Sequence, residues 1–111
     1  MNTDLTGKVA VVTGAGGVLC SYFAKVLARA GAKVALLDIN EEAAGVYAKE
    51  IEAEGGVAKA YSCNVLDKDI CYQVADKVME ELGPCDILIN GAGGNNPKAT
   101  TDKEYFEMGD I

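Results

Sequence analysis

The sequence predicts a doubly wound α/β domain, a parallel sheet of strand order 3-2-1-4 truncated after about four strands. Three observations carry this reading: short β-branched runs recur, each is followed by a stretch with helical apolar spacing, and glycines stand at the joints. Strands and helices alternating at this length pair in parallel through right-handed crossovers, which places helices on the faces of one sheet.

The first unit is KVAVVT (8 to 13), a buried strand that stops at Gly14, Ala15, Gly16 and Gly17. From Val18 the apolar positions Val18, Leu19, Tyr22, Phe23, Val26, Leu27 and Ala30 follow a helical face, and Gly31 supplies a left-handed stop. Tyr22 and Tyr47 read as core. KVALLD (33 to 38) is the second strand. Asn40, Glu41 and Glu42 open the second helix, whose inner face is Ala44, Tyr47, Ala48 and Ile51 and whose end is Gly55-Gly56. Acids at a helix start suit its dipole. VAKAYSC (57 to 63) is the third strand. A helix capped by Asp67 follows, with Ile70, Val74, Val78 and Leu82 on one face and Gly83-Pro84 ending it. DILIN (86 to 90) is the fourth strand.

After Asn90 come GAGGNNPKATT and the polar stretch DKEYFEMGDI, with no further strand. The fourth strand is apolar on both faces, so a sheet ending there leaves a bare edge. The expectation is a single domain over residues 1–111 that is the N-terminal fragment of a longer chain. A short domain pairing its open edge in a homo-oligomer satisfies the same constraint.

The chain has 111 residues and is 50% apolar, enough for one domain that buries roughly 65% of its unfolded surface. Acids outnumber bases by 17 to 10, giving −7, and the bases are scattered, which argues against nucleic acid and anionic membranes. The aliphatic runs are too short to cross a bilayer and MNTDLTGK lacks a signal-peptide core, so the sequence reads as soluble and cytoplasmic. The four cysteines form no CxxC pair and there is no histidine, which removes the usual structural zinc patterns and any His-dependent triad. These thiols read as buried and reduced.

Gly14, Gly16 and Gly17 lie between strand and helix, where missing side chains let backbone N–H groups approach a pyrophosphate. Val18 and Leu19 open the helix beside them. Asp38 ends the second strand, where its carboxylate accepts from the adenosine ribose hydroxyls and repels a 2'-phosphate. With Ile39 next to it and no arginine nearby, this favours NAD over NADP. Asn64 and Val65 follow the third strand, positioned for the adenine edge. An asparagine there is as often a turn former. Asn90, Gly91, Ala92 and Gly93 leave the fourth strand at the switch point of the strand order, where open α/β sheets bind ligands.

TGAGGVLC (13 to 20), Asp38, CNV (63 to 65) and NGAG (90 to 93), in this order and spacing, resemble the short-chain dehydrogenase/reductase family over residues 5 to 95. The resemblance implies a Rossmann-type fold and an NAD(P)-dependent oxidoreductase acting on a small hydroxy-acid or keto-acid substrate. More narrowly, TGAGGVLC and GAGGNNPKATT look like the D-mannonate oxidoreductase or fructuronate reductase branch, which interconverts sugar acids by hydride transfer.

The departures are specific. The family writes TGxxxGxG, whereas Val18 and Cys20 stand at its second and third glycines. Asn64 replaces its aspartate, and NGAG replaces NNAG. The family's serine and Tyr-x-x-x-Lys pair are absent, since none of Tyr22, Tyr47, Tyr61, Tyr72 or Tyr105 has a lysine four places on. No catalytic residue is therefore assigned, and the 111 residues alone are expected to be inactive. Two other readings share parts of the pattern. One is a nucleotide-binding module without catalysis. The other is a fragment of a methyltransferase using S-adenosylmethionine, a class that usually ends its first strand with an acid where Thr13 stands.

Overall fold

A computed structural model of the chain describes residues 5–91. Seven elements alternate: β1 (Val9–Thr13), α1 (Val18–Arg29), β2 (Lys33–Asp38), α2 (Glu41–Ala53), β3 (Val57–Ser62), α3 (Lys68–Glu81) and β4 (Ile87–Asn90). All pairings are parallel and the order is β3-β2-β1-β4, as the alternation of strands and helices predicts. Thr13 lies opposite Leu37 on one side and Asn90 on the other, so the carboxyl ends of the three strands are level.

β1 is central and buried throughout, which explains its unbroken run of aliphatic residues. Successive side chains alternate between two cores. Val9, Val11, Ala35 and Leu37 meet Cys71, Val74 and Val78 of α3. Ala10, Val12, Val34 and Leu36 meet Ala24 of α1 and Ala44, Ala48 and Ile51 of α2. Leu36 and Leu37 are fully buried on opposite faces, each stabilising the fold by about 2 kcal/mol.

The helix starts are built as their sequences suggest. The side chain of Asn40 accepts from the Ala43 amide, and that of Asp67 accepts from the Ile70 amide. Glycines with positive φ follow each helix at Gly31, Gly55 and Gly83. A Lys25–Glu50 ion pair links α1 to α2, and Arg29 pairs with Glu54, the residue that caps the end of α2.

Three expectations are corrected. The buried face of α1 is Ser21 and Ala24, with Cys20, the expected Leu27 and Ala28 partly buried against the same core, while Val18, Leu19, Tyr22, Phe23 and Val26 are exposed, Val18 at 79%. Small side chains let the helix lie close to β1 and β2, and the large apolar ones turn to a flank that no described element covers. Tyr22 is therefore not core, and Tyr47 is only half-buried against the α2-side cluster. Ile70, in the first turn of α3, stays exposed, whereas Val74, Val78 and Leu82 are buried. Cys63 and Cys71 are buried thiols with sulfurs 3.9 Å apart, and Cys20 and Cys85 are half-buried. No helix among the described residues is long and apolar enough to cross a membrane.

Candidate cofactor site

The level carboxyl ends of β1, β2 and β4 put three loops side by side. Directly after β1, Gly14 takes φ +69°, a conformation that a side chain disfavours, and turns the chain sharply. The turn is held by Gly17 N–H donating to the Gly14 carbonyl (3.1 Å) and Ala15 N–H to the Leu37 carbonyl (3.0 Å). Gly17 is then the N-cap of α1, with no side-chain cap and no acid in the helix's own first turn.

Asp38 fastens this loop to the next. Its Oδ2 accepts from the Gly16 amide at 2.9 Å and its Oδ1 from the Asn40 amide at 2.8 Å. A Cβ at Gly16 would stand 2.9 Å from Asp38 Oδ2 and 3.0 Å from Ala43 Cβ, so glycine is what permits the approach. Ile39, beside Asp38, is 70% exposed.

On the other side of β1, the Thr13 hydroxyl donates to Asn90 Oδ1 at 2.8 Å and accepts from the Gly91 amide at 3.0 Å. The end of β4 is thus tied to the end of β1. A cavity of about 450 Å³ lies between Gly14 and Gly17, the first turn of α1 (Val18, Leu19, Cys20) and the β4 end (Ile89, Asn90, Gly91). Burial, and then the negative charge of Asp38, push the Cys20 thiol above its usual pKa.

The structure brings Gly14, Gly16, Gly17, Val18, Leu19, Asp38, Asn90 and Gly91 to one edge. Asn64 and Val65 sit one strand further out, after β3, where Cys63 N–H donates to the Asp38 carbonyl. Asn64 acts there as a turn former, its Oδ1 accepting from the Leu66 amide at 3.0 Å, and Val65 turns its side chain into the α3-side core. Ala92 and Gly93 lie outside the described residues. Thr13 was not singled out from the sequence as a site residue. Its signal was a lone hydroxyl ending an otherwise aliphatic buried strand.

An acid-anchored glycine turn leading into a helix N-terminus fits a dinucleotide's ribose and pyrophosphate. Among the described residues, no cluster of potential ligands suits a metal ion.

The family model for short chain dehydrogenase matches residues 8–108. An uncharacterized oxidoreductase of Haemophilus influenzae is 56% identical over 107 residues, covering 96% of this chain and 38% of the relative. The 7alpha-hydroxysteroid dehydrogenase of Escherichia coli K12 is 41% identical over 97 residues, covering 87% of this chain and 38% of the relative. The chain thus spans well under half the length of these curated relatives. A crystal structure of a Haemophilus protein provisionally named D-mannonate oxidoreductase, with bound NAD, is 56% identical and superposes with a TM-score of 0.79 over 85% of this chain and 34% of that one. A metagenomic short-chain oxidoreductase in complex with NADP superposes at 0.71 with 36% identity, over 76% of this chain and 38% of that one. With the family model spanning most of the sequence and the fold in agreement, the chain belongs to the short-chain dehydrogenase family.

Proposed function

We propose that residues 1–111 form one dinucleotide-binding domain, the N-terminal part of an NAD(H)-dependent oxidoreductase that interconverts the secondary alcohol and ketone of a hydroxy acid. The name of the similar Haemophilus protein suggests D-mannonate as the alcohol, and D-fructuronate is the ketone partner that the sequence resemblance implies. The observation that carries the reading is Asp38, whose two carboxylate oxygens are held in place by the Gly16 and Asn40 amides. A carboxylate so fixed accepts from ribose hydroxyls and repels a 2'-phosphate, which favours NAD over NADP.

Gly14 and Gly17 let the backbone come close to the pyrophosphate, and the α1 N-terminus, with Val18 and Leu19, attracts its charge. Ile39 offers an apolar surface to the adenine, with Asn64 and Val65 beyond it. Asn90 and Gly91, followed by Ala92 and Gly93, border the path toward the nicotinamide, which when bound supplies or accepts the hydride. Proton transfer is assigned to a serine and a Tyr-x-x-x-Lys pair of the full-length parent.

Fluorescence titration of the chain with NADH and NADPH tests this. NADH is expected to bind more tightly. Equal or tighter binding of NADPH would overturn the cofactor preference, and no response to either would overturn the binding reading. A full-length parent that binds NADH but reduces no fructuronate would remove the substrate assignment.

A further inference from the structure

Gly91 is glycine for a reason that its backbone does not supply. Its φ lies outside the left-handed region, so a side chain is conformationally admissible. The obstacle is the Cys20 thiol: a Cβ on Gly91 would stand 2.1 Å from Cys20 Sγ, but 3.6 Å from Cys20 Cβ, an ordinary contact. The sulfur is by far the nearest obstacle. Nor can the β4 end easily drift away, because the Gly91 amide is held by the Thr13 hydroxyl and the Thr13 carbonyl would lie 3.0 Å from the same Cβ.

Cys20 is the third residue of α1, and both it and Gly91 line the 450 Å³ cavity beside the glycine turn. Burial and the Asp38 charge keep its thiol protonated, so it acts as a compact neutral wedge. We infer that Cys20 and Gly91 are a sterically matched pair that sets the gap between the start of α1 and the end of β4, and so positions the wall of the cofactor site. The two departures at these positions from the family pattern, cysteine for glycine at 20 and glycine for asparagine at 91, are then one change: volume has moved from the β4 side of the gap to the α1 side.

This inference rests on the cofactor reading for its functional part only, and the test separates the two. Wild type, Gly91→Ala, Cys20→Ala and the double variant, each as the full chain, are compared by urea unfolding and NADH titration. Gly91→Ala should lower the unfolding midpoint and weaken NADH about tenfold, and adding Cys20→Ala should restore affinity to within about threefold of wild type, a strong non-additive coupling. The expected signature is rescue in both measurements. A double variant no better than Gly91→Ala in either would overturn the pairing, because the Thr13 carbonyl rather than the sulfur would then be the obstacle. Rescue of unfolding without rescue of NADH binding would overturn the positioning role. Should wild type bind no NADH, the cofactor reading and with it the positioning role fail, and the unfolding data still judge the steric pairing.

Discussion

Asp38 Oδ2 accepts a hydrogen bond of 2.9 Å from the Gly16 amide, so the acid that ends β2 also holds the glycine turn that follows β1. Under the proposed cofactor reading, ribose recognition and the shape of the phosphate-facing turn would then depend on the same carboxylate. Replacing it should damage both.

Asp38→Ala should lower stability by about 2 kcal/mol, because the Gly16 and Asn40 amides lose their acceptor. It should also weaken NADH more than NADPH, reducing the preference between them. Urea unfolding and paired titrations measure the two effects, and an unchanged NADH-to-NADPH ratio would rule out a role for Asp38 in discrimination.

Thr13→Val keeps the shape of the strand end but removes the bridge to Asn90 and Gly91. With two polar groups losing a partner in a half-buried place, a loss of about 1–3 kcal/mol is expected. Unfolding midpoints check the magnitude, and a neutral result would mean that β4 is held without the hydroxyl.

The Tyr61 hydroxyl donates to Glu81 Oε1 at 2.6 Å, and burial, followed by this bond and the Glu81 charge, raises its pKa well above the usual tyrosine value of 10.0. The sign follows from linkage. Below pH 10 the tyrosine is neutral in both states and the contribution is fully present; above it the unfolded chain releases a proton that the folded chain retains, and stability falls. The stability advantage of wild type over Tyr61→Phe should therefore shrink as pH rises past 10, measured by urea unfolding in steps from pH 8 to pH 11. A constant difference would contradict it.

Thiol alkylation of the native chain should distinguish two classes. Cys20 and Cys85 are half-buried and should label, slowly at neutral pH because burial raises both thiols. Cys63 and Cys71 are buried and should label only as the chain opens. Mass spectrometry of peptides after timed labelling gives the order, and early modification of Cys63 or Cys71 would show that the α3-side core is open.

The order of strands and helices was legible because each strand's aliphatic run and each helix's spacing are local signals, and parallel pairing leaves few ways to connect them. The ends of the helices were legible from Asn40, Asp67 and Gly31 for the same reason. The orientation of α1 was not. Apolar spacing records which residues avoid water, but Val18, Leu19, Tyr22, Phe23 and Val26 form a wider apolar surface than the sheet can cover, and the small Ser21 and Ala24 take the contact. Of the site, the glycines and Asp38 announced themselves by position. The double use of Asp38, the Thr13 bridge and the contact of Cys20 with Gly91 depend on neighbours remote in sequence, where no local pattern speaks.

The pairing of β4 with β1 differs from the others in the length of chain it must close. Val9 meets Lys33 and Lys33 meets Val57 after one strand-helix unit each, but Thr13 and Asn90 are 77 positions apart. Closing the longer loop costs about 1 kcal/mol more chain entropy, before any of its contacts form. β4 should thus be the last strand to dock during folding, with its amides becoming protected after those of β1 and β2 in pulse-labelled hydrogen exchange. Because Asn90 and Gly91 arrive with it, the cavity beside the glycine turn is completed only at the final step, and a partly folded chain has the turn without its opposite wall.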